Sequence, residues 1–220
     1  MSRPDHLRVR RRADRGAYDR ATIDAILDEA LFCHLGFVHE GRPFVIPTLH
    51  ARVGDHVYVH GSAASRMLRT LGDGAAACLT VTLVDGLVLA RSAFHHSVNY
   101  RSVVLTGHAT PITAAEEKTV ALEAFVEQLV HGRWADVRPP TAKELRVTAV
   151  LRMAIDEASA KVRTGPPLDD EEDYELDAWA GVLPLRLEPG AVLPDERLRT
   201  DIDPPAYVRR YRRPPGRADG

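Results

Sequence analysis

Two cysteines in 220 residues, with no CxxC pair and no metal-type spacing, leave nothing from which to build a thiolate metal centre. Cys33 and Cys78 each sit in an apolar, strand-like run, where buried thiols are expected. Aromatic residues are few, at 6%. Neither sign of charge prevails: 29 Lys and Arg stand against 31 Asp and Glu. General nucleic-acid affinity therefore does not follow. No apolar run approaches the ~20 residues of a membrane helix. The Arg-bearing start has no apolar stretch of the secretory kind. A cytoplasmic protein with no nucleic-acid or membrane partner is expected. Phosphate-binding GxGxxG and GxxxxGK[ST] loops are missing, as are a GxSxG elbow and a zinc-binding HExxH. Among ten histidines, the pair His95–His96 would point to opposite faces of a strand, and no metal site is expected.

What is present suffices for one domain, since 45% of the residues are hydrophobic. Charge is concentrated by region. Residues 3–15 and 207–217 are basic, and residues 169–177 are acidic. Solvated tails and a solvated loop account for this; a nucleic-acid arm is the alternative weighed against them, and pairing of the tails with the acidic loop, within the chain or across a dimer, is left open. Residues 1–17 read as a basic, poorly ordered tail, 18–190 as the folded domain, and 191–220 as a Pro/Arg-rich extended tail.

Ile23, Ile26, Leu27 and Leu31 fall at helical spacing. Strand-like runs follow, separated by turn signals at HEGRP, GD and DG. A short helix is expected from Ser65, stopped by Gly72 or Gly74. Thr113–Glu116 and Thr141–Glu144 have the capping-box pattern. The first would open a helix with Val120, Leu122, Phe125, Val126 and Leu129 on its apolar face. Val147, Ala149, Leu151, Met153 and Ile155 alternate as on one face of a strand. Trp179 is expected to be a core or dimer anchor. Hairpin-linked strands with few helices imply a mainly β (α+β) fold, a closed or partly closed antiparallel barrel.

The stretch Tyr58–Leu71, YVHGSAASRMLRTL, runs from a strand through small residues into a helix. Free helix-terminal N–H groups, serine hydroxyls and a guanidinium together suit a phosphate. Ordinary capping by Ser62 beside an exposed Arg66 is the competing account.

The ordered set of helix, IPT strand, YVHGS–SR–LRTL, TVTLVDGLVLARS and NYRSVVLTGHATPI resembles the pyridoxamine 5′-phosphate oxidase-like FMN-binding split-barrel superfamily. The region from GRWADVRPPTAKELRVT to WAGVLPL is similar to its flavin-nucleotide-binding branch, related to nitroimidazole-resistance reductases. The resemblance spans roughly residues 18–190. It implies a six-stranded split barrel with flanking helices, and a homodimer with FMN at the interface. Deazaflavin or haem replaces FMN in some relatives.

The resemblance assigns Ser62, Ser65 and Arg66 to the FMN phosphate, with Gly61 allowing close approach and His60 facing flavin or substrate. It sets Ile46, Pro47, Thr48 and Leu49 on the strand against the flavin ring, with Pro47 at an edge or bulge. Asn99, Tyr100, Arg101 and Ser102 would meet phosphate or ribityl oxygens, or else form a polar hairpin shoulder. His95, His96, Lys161 and Arg163 are weaker pocket candidates. Lys161 and Arg163 share a strand face and would meet an anionic ligand or the acidic loop. His60 is the weak candidate for a catalytic group. The implied chemistry is electron transfer from a reduced nicotinamide or deazaflavin donor, through flavin, to a nitroaromatic or quinone-like acceptor. A non-catalytic flavin store or sensor and a haem-binding barrel are the alternatives.

Overall fold

The computed structural model describes residues 5–212. The outermost parts of both basic ends lie outside the described residues. In chain order the elements are β1 (Gly16–Ala17), α1 (Arg20–Glu29), β2 (Phe32–His39), β3 (Arg42–Leu49), β4 (Ala51–Val53), β5 (His56–Ser62), α2 (Arg66–Gly72), β6 (Ala76–Leu89) and β7 (Ser97–His108). Then come β8 (Thr110–Pro111), α3 (Ala115–Leu129), α4 (Ala142–Val147), β9 (Thr148–Ala154), β10 (Ala158–Arg163), β11 (Gly181–Pro184) and α5 (Ala206–Arg209).

Turn chemistry sets the hairpins. Glu40 and Gly41 both have positive φ, which is the geometry of a tight hairpin turn, and β2 and β3 pair in register around it. One sheet runs β1-β10-β7-β6-β2-β3, with β11 attached to β6; the other runs β4-β5-β9-β8. All described pairings are antiparallel. The two sheets are not closed into one ring. They form a split barrel with more strands than the six expected.

Alternation decides what each strand buries. Cys33, Leu35, Leu79, Val81, Val103, Leu105, Val57 and Val59 meet in the main core. Leu151 and Met153 join them from β9, while Val147 ends α4 and is exposed. The other face of β5 and β9 holds a second cluster under α3, including Tyr58, Val150, Ala121 and Phe125.

Four expectations need correction. The Thr113–Glu116 capping box does not form, because the helix starts one residue later with Ala114 as its N-cap. Its buried face is Ala121 and Phe125, while Val120 and Leu129 are exposed. Trp179 is 71% exposed, so it is no core anchor; its ring covers Gly181 instead. The second box is present, with Thr141 and Glu144 bonding reciprocally. Before residue 18 the chain is partly tied down, since Gly16 and Ala17 pair with Lys161 and Ala160.

The end of α1 is finished by side chains from elsewhere in the chain. His50 Nε2 donates to the Leu27 carbonyl at 2.9 Å, and Gln128 Nε2 donates to the Asp28 carbonyl at 2.7 Å. These satisfy helix-end acceptors that have no intrahelical partner. His50 is 1% exposed, and burial lowers its pKa below the ordinary 6.5. The unfolded chain therefore binds protons that the folded chain refuses. Stability is fully present above about pH 6.5 and is lost as pH falls from there toward the depressed folded value, by up to about 1.4 kcal/mol per unit. Urea unfolding at stepped pH is expected to show that decline, and His50→Gln to flatten it.

Candidate functional site

The stretch that suggested a phosphate site is built as follows. Gly61, next to last in β5, lies against α2, where a Cβ would come within 3.2 Å of Leu68 Cδ1. Ser62 turns the chain: its Oγ accepts from Ala64 N–H at 3.2 Å, and its carbonyl accepts from Ser65 N–H at 2.9 Å. Ser65, not Ser62, is the N-cap of α2, and its hydroxyl makes no capping bond. The first intrahelical bond is Arg69 N–H to Ser65 carbonyl at 3.0 Å. The N–H groups of Arg66, Met67 and Leu68 have no acceptor in the helix. Arg66 is exposed and, among the described residues, has no carboxylate partner. Its guanidinium lies 4.3 Å over the Phe44 ring. Phe44 stacks on Phe37 at 5.6 Å, and both line a largely apolar cavity of about 720 Å³. Val45, Cys78, His6 and His108 also border it. The donors at the start of α2 and the cavity therefore share one wall, Phe44.

On β3, the edge strand of its sheet, Ile46 turns toward the main core and Pro47 faces outward opposite His34. An edge position is where a strand proline costs no ladder bond. Thr48 and Leu49 are half-buried. His60 lies on the α3 side of β5, its ring 4.2 Å from that of Phe125. Its Nδ1 is buried without a partner, and burial lowers its pKa, keeping the imidazole neutral near pH 7.

The Asn99–Ser102 group is divided by strand alternation. Arg101 spans Glu29 and Asp85, with Nη2 2.9 Å from Glu29 Oε1 and 2.7 Å from Asp85 Oδ1. Those carboxylates raise its pKa further and hold the guanidinium. Asn99 is buried and bonds Arg163 and the Gly165 carbonyl. Tyr100 and Ser102 fall on the opposite face, beside Arg163 and Lys161 of β10. In the sheet order β7 stands three strands from β3, about 14 Å away.

His95 and His96 lie on a turn before β7, not on a strand. The Nδ1 of His95 contacts Ser92 Oγ at 2.9 Å, and that of His96 contacts the Ser92 carbonyl at 2.9 Å. The acidic loop folds back here. Asp169 accepts from Arg91 N–H at 3.0 Å and from Arg91 Nη1 at 3.1 Å, so it serves neither Lys161 nor Arg163. His95, Asp170 and Asp173 bring ligand atoms within 4.8 Å of one another, a grouping invisible to local spacing.

Sequence reasoning missed Phe44, His6 and His108. His108 closes a strand and His6 lies in a segment read as tail, where no pattern marks a cavity wall. Burial raises the pKa of Cys78 and pushes that of Cys33 up to about 12, so both thiols are held toward the protonated form.

Residues 19–162 match the family model described as pyridoxamine 5′-phosphate oxidase. The flavocytochrome Anf3 from Azotobacter vinelandii is 45% identical with a TM-score of 0.89, over 95% of this chain and 97% of that one. A FAD- and haem-binding protein from Mycobacterium smegmatis is 38% identical with a TM-score of 0.85, over 89% of this chain and 96% of that one. A 5-nitroimidazole antibiotic resistance protein from Bacteroides thetaiotaomicron has the same fold, at 24% identity and TM-score 0.55, over 67% of this chain and 86% of that one. No curated protein matches.

Proposed function

Because the chain belongs to the pyridoxamine 5′-phosphate oxidase family, we propose that it binds a flavin and works as an electron-transfer protein toward a small acceptor of nitroaromatic or quinone-like kind. The observation that carries this reading is the junction of unengaged donors and cavity. Ser65 hydroxyl, the open end of α2 and Arg66 suit a phosphate, and Phe44 links them to an apolar space of about 720 Å³. That size suits a planar cofactor. A bound flavin supplies hydride and single-electron chemistry. The protein's share is to anchor the phosphate through Ser65 and Arg66 and to keep water from the ring with Phe37, Phe44 and Val45. A reduced nicotinamide or deazaflavin is the proposed donor. A second copy of the chain is proposed to cover the exposed apolar face carrying Phe32, Val45 and Val104. FAD competes with FMN as the flavin, since the M. smegmatis relative is described as binding FAD.

A haem beside the flavin is the second element of the proposal, supported by the two most similar structures described above. Of the histidines singled out from sequence, His96 suits iron best. Its Nδ1 is directed to a backbone carbonyl, which orients Nε2 outward as a ligand. His60 and His95 are the remaining candidates, and His108 borders the cavity.

Absorption spectra of the purified protein, titrated separately with FMN, FAD and haemin, test both parts. Flavin bands that sharpen on binding, and a Soret band that shifts in His96→Ala but not in His108→Ala, are expected. Failure to take up either flavin would overturn the flavin assignment whatever the haem result.

A further inference from the structure

Arg163 is 6% exposed and, among the described residues, has no carboxylate within ion-pair distance. Its guanidinium donates to Asn99 Oδ1, to the Gly165 carbonyl at 3.3 Å and to the Pro166 carbonyl at 3.2 Å, all neutral, and its Nε is buried without a partner. A guanidinium at that depth is normally matched by a carboxylate, because a buried uncompensated charge is costly. Here its surroundings add positive charge. Antiparallel pairing places Gly16 beside Lys161 and Tyr100 beside Arg163, so the turn Ala13–Arg15 packs on β10. Alternation sets Lys161 and Arg163 on one face of β10, with Tyr100 and Ser102 next to them on β7. Arg12 and Arg15 approach closely enough that, after burial itself, their charges lower the Arg163 pKa.

Asp14, in the same turn, forms no ion pair with this group, and the other nearby acids are engaged elsewhere. Asp169 serves Arg91, and Glu29 and Asp85 serve Arg101. Among the described residues, none of Arg12, Arg15, Lys161 and Arg163 has a carboxylate within ion-pair distance. Such convergence of cations is unfavourable by itself and becomes favourable around an anion.

We propose that Arg12, Arg15, Lys161 and Arg163, bordered by Tyr100, form a binding site for the anionic oxygens of a small ligand, separate from the donors at Ser65 and Arg66. Phosphate and carboxylate oxygens share the required chemistry. Two sources stand out if the flavin and haem proposal holds: the diphosphate of a dinucleotide and the propionates of a haem. The site itself does not rest on that proposal, because it is read from charge and burial alone.

The experiment is calorimetric titration of inorganic pyrophosphate into the full chain, into Arg66→Ala, and into Arg15→Ala/Lys161→Ala. The double variant leaves buried Arg163 in place to guard the fold. Binding retained in Arg66→Ala and weakened on the order of tenfold or more in the double variant is expected. Thermal unfolding without ligand should be unchanged or raised in the double variant, because like charges have been removed; a purely structural role would lower it. Two further arms name the source. A loss for FAD but not FMN points to the diphosphate. A loss for haemin but not its dimethyl ester points to the propionates. Equal pyrophosphate affinity in wild type and double variant, or a real loss for FMN as large as that for FAD, would overturn a separate anion site.

Discussion

Ser65→Ala/Arg66→Ala is expected to bind flavin roughly a hundredfold more weakly than the parent chain, while remaining folded. Ser65 caps a helix without using its hydroxyl for the cap, and exposed Arg66 forms no ion pair among the described residues, so the one internal interaction lost is the Arg66–Phe44 ring contact. What disappears is one hydroxyl donor and one charge-assisted fork. A hydrogen bond to a charged group contributes about 1.5–3 kcal/mol, which corresponds to about ten- to a hundredfold. Loss of the Arg66–Phe44 contact adds to the effect, because Phe44 is part of the cavity wall. Fluorescence quenching on FMN titration measures it. Unchanged affinity would remove Ser65 and Arg66 from the flavin site. Arg66→Lys should recover part of the binding, since it restores the charge without the fork.

The second large effect is one of stability. Arg101→Met should cost about 3 kcal/mol, because it leaves Glu29 and Asp85 facing a half-buried space without their shared cation. For a chain of this size that is a fall of roughly 6–12 °C in melting temperature. Arg101 ties α1 to the long β6–β7 hairpin, so the loss also loosens α1 from the sheet. Flavin uptake measured well below the new melting temperature should be near normal. A stable Arg101→Met protein that no longer takes up flavin would support the cofactor role that the motif suggested.

Much of this architecture is legible in residue order. The turn at Glu40–Gly41, the helix beginning at Ser65 and the capping box at Thr141 are local, and local backbone preference is enough to place them. The proposed phosphate contact of Ser65 and Arg66 also lies within one continuous stretch. The Asn99–Ser102 group was harder. Its four polar residues are adjacent in sequence, but a strand sends neighbours to opposite faces, and each face met different partners. Two of those partners, Glu29 and Asp85, are 72 and 16 residues away along the chain from Arg101. The same alternation moved His60 under α3, against a phenylalanine 65 positions later.

By itself, then, the sequence determined the class of fold, the hairpin turns, the antiparallel pairing of hairpin-linked strands and the helix start at Ser65, because each follows from short-range conformational preference and alternating burial. Tertiary structure alone decided which charges are spent and which remain open. Arg101 is neutralised because α1 folds across the β6–β7 hairpin, whereas Arg163 is left among cations because β1 lays the N-terminal arginines along β10. Charge compensation depends on distances across strands, and no one-dimensional pattern of Arg, Lys, Asp and Glu contains them.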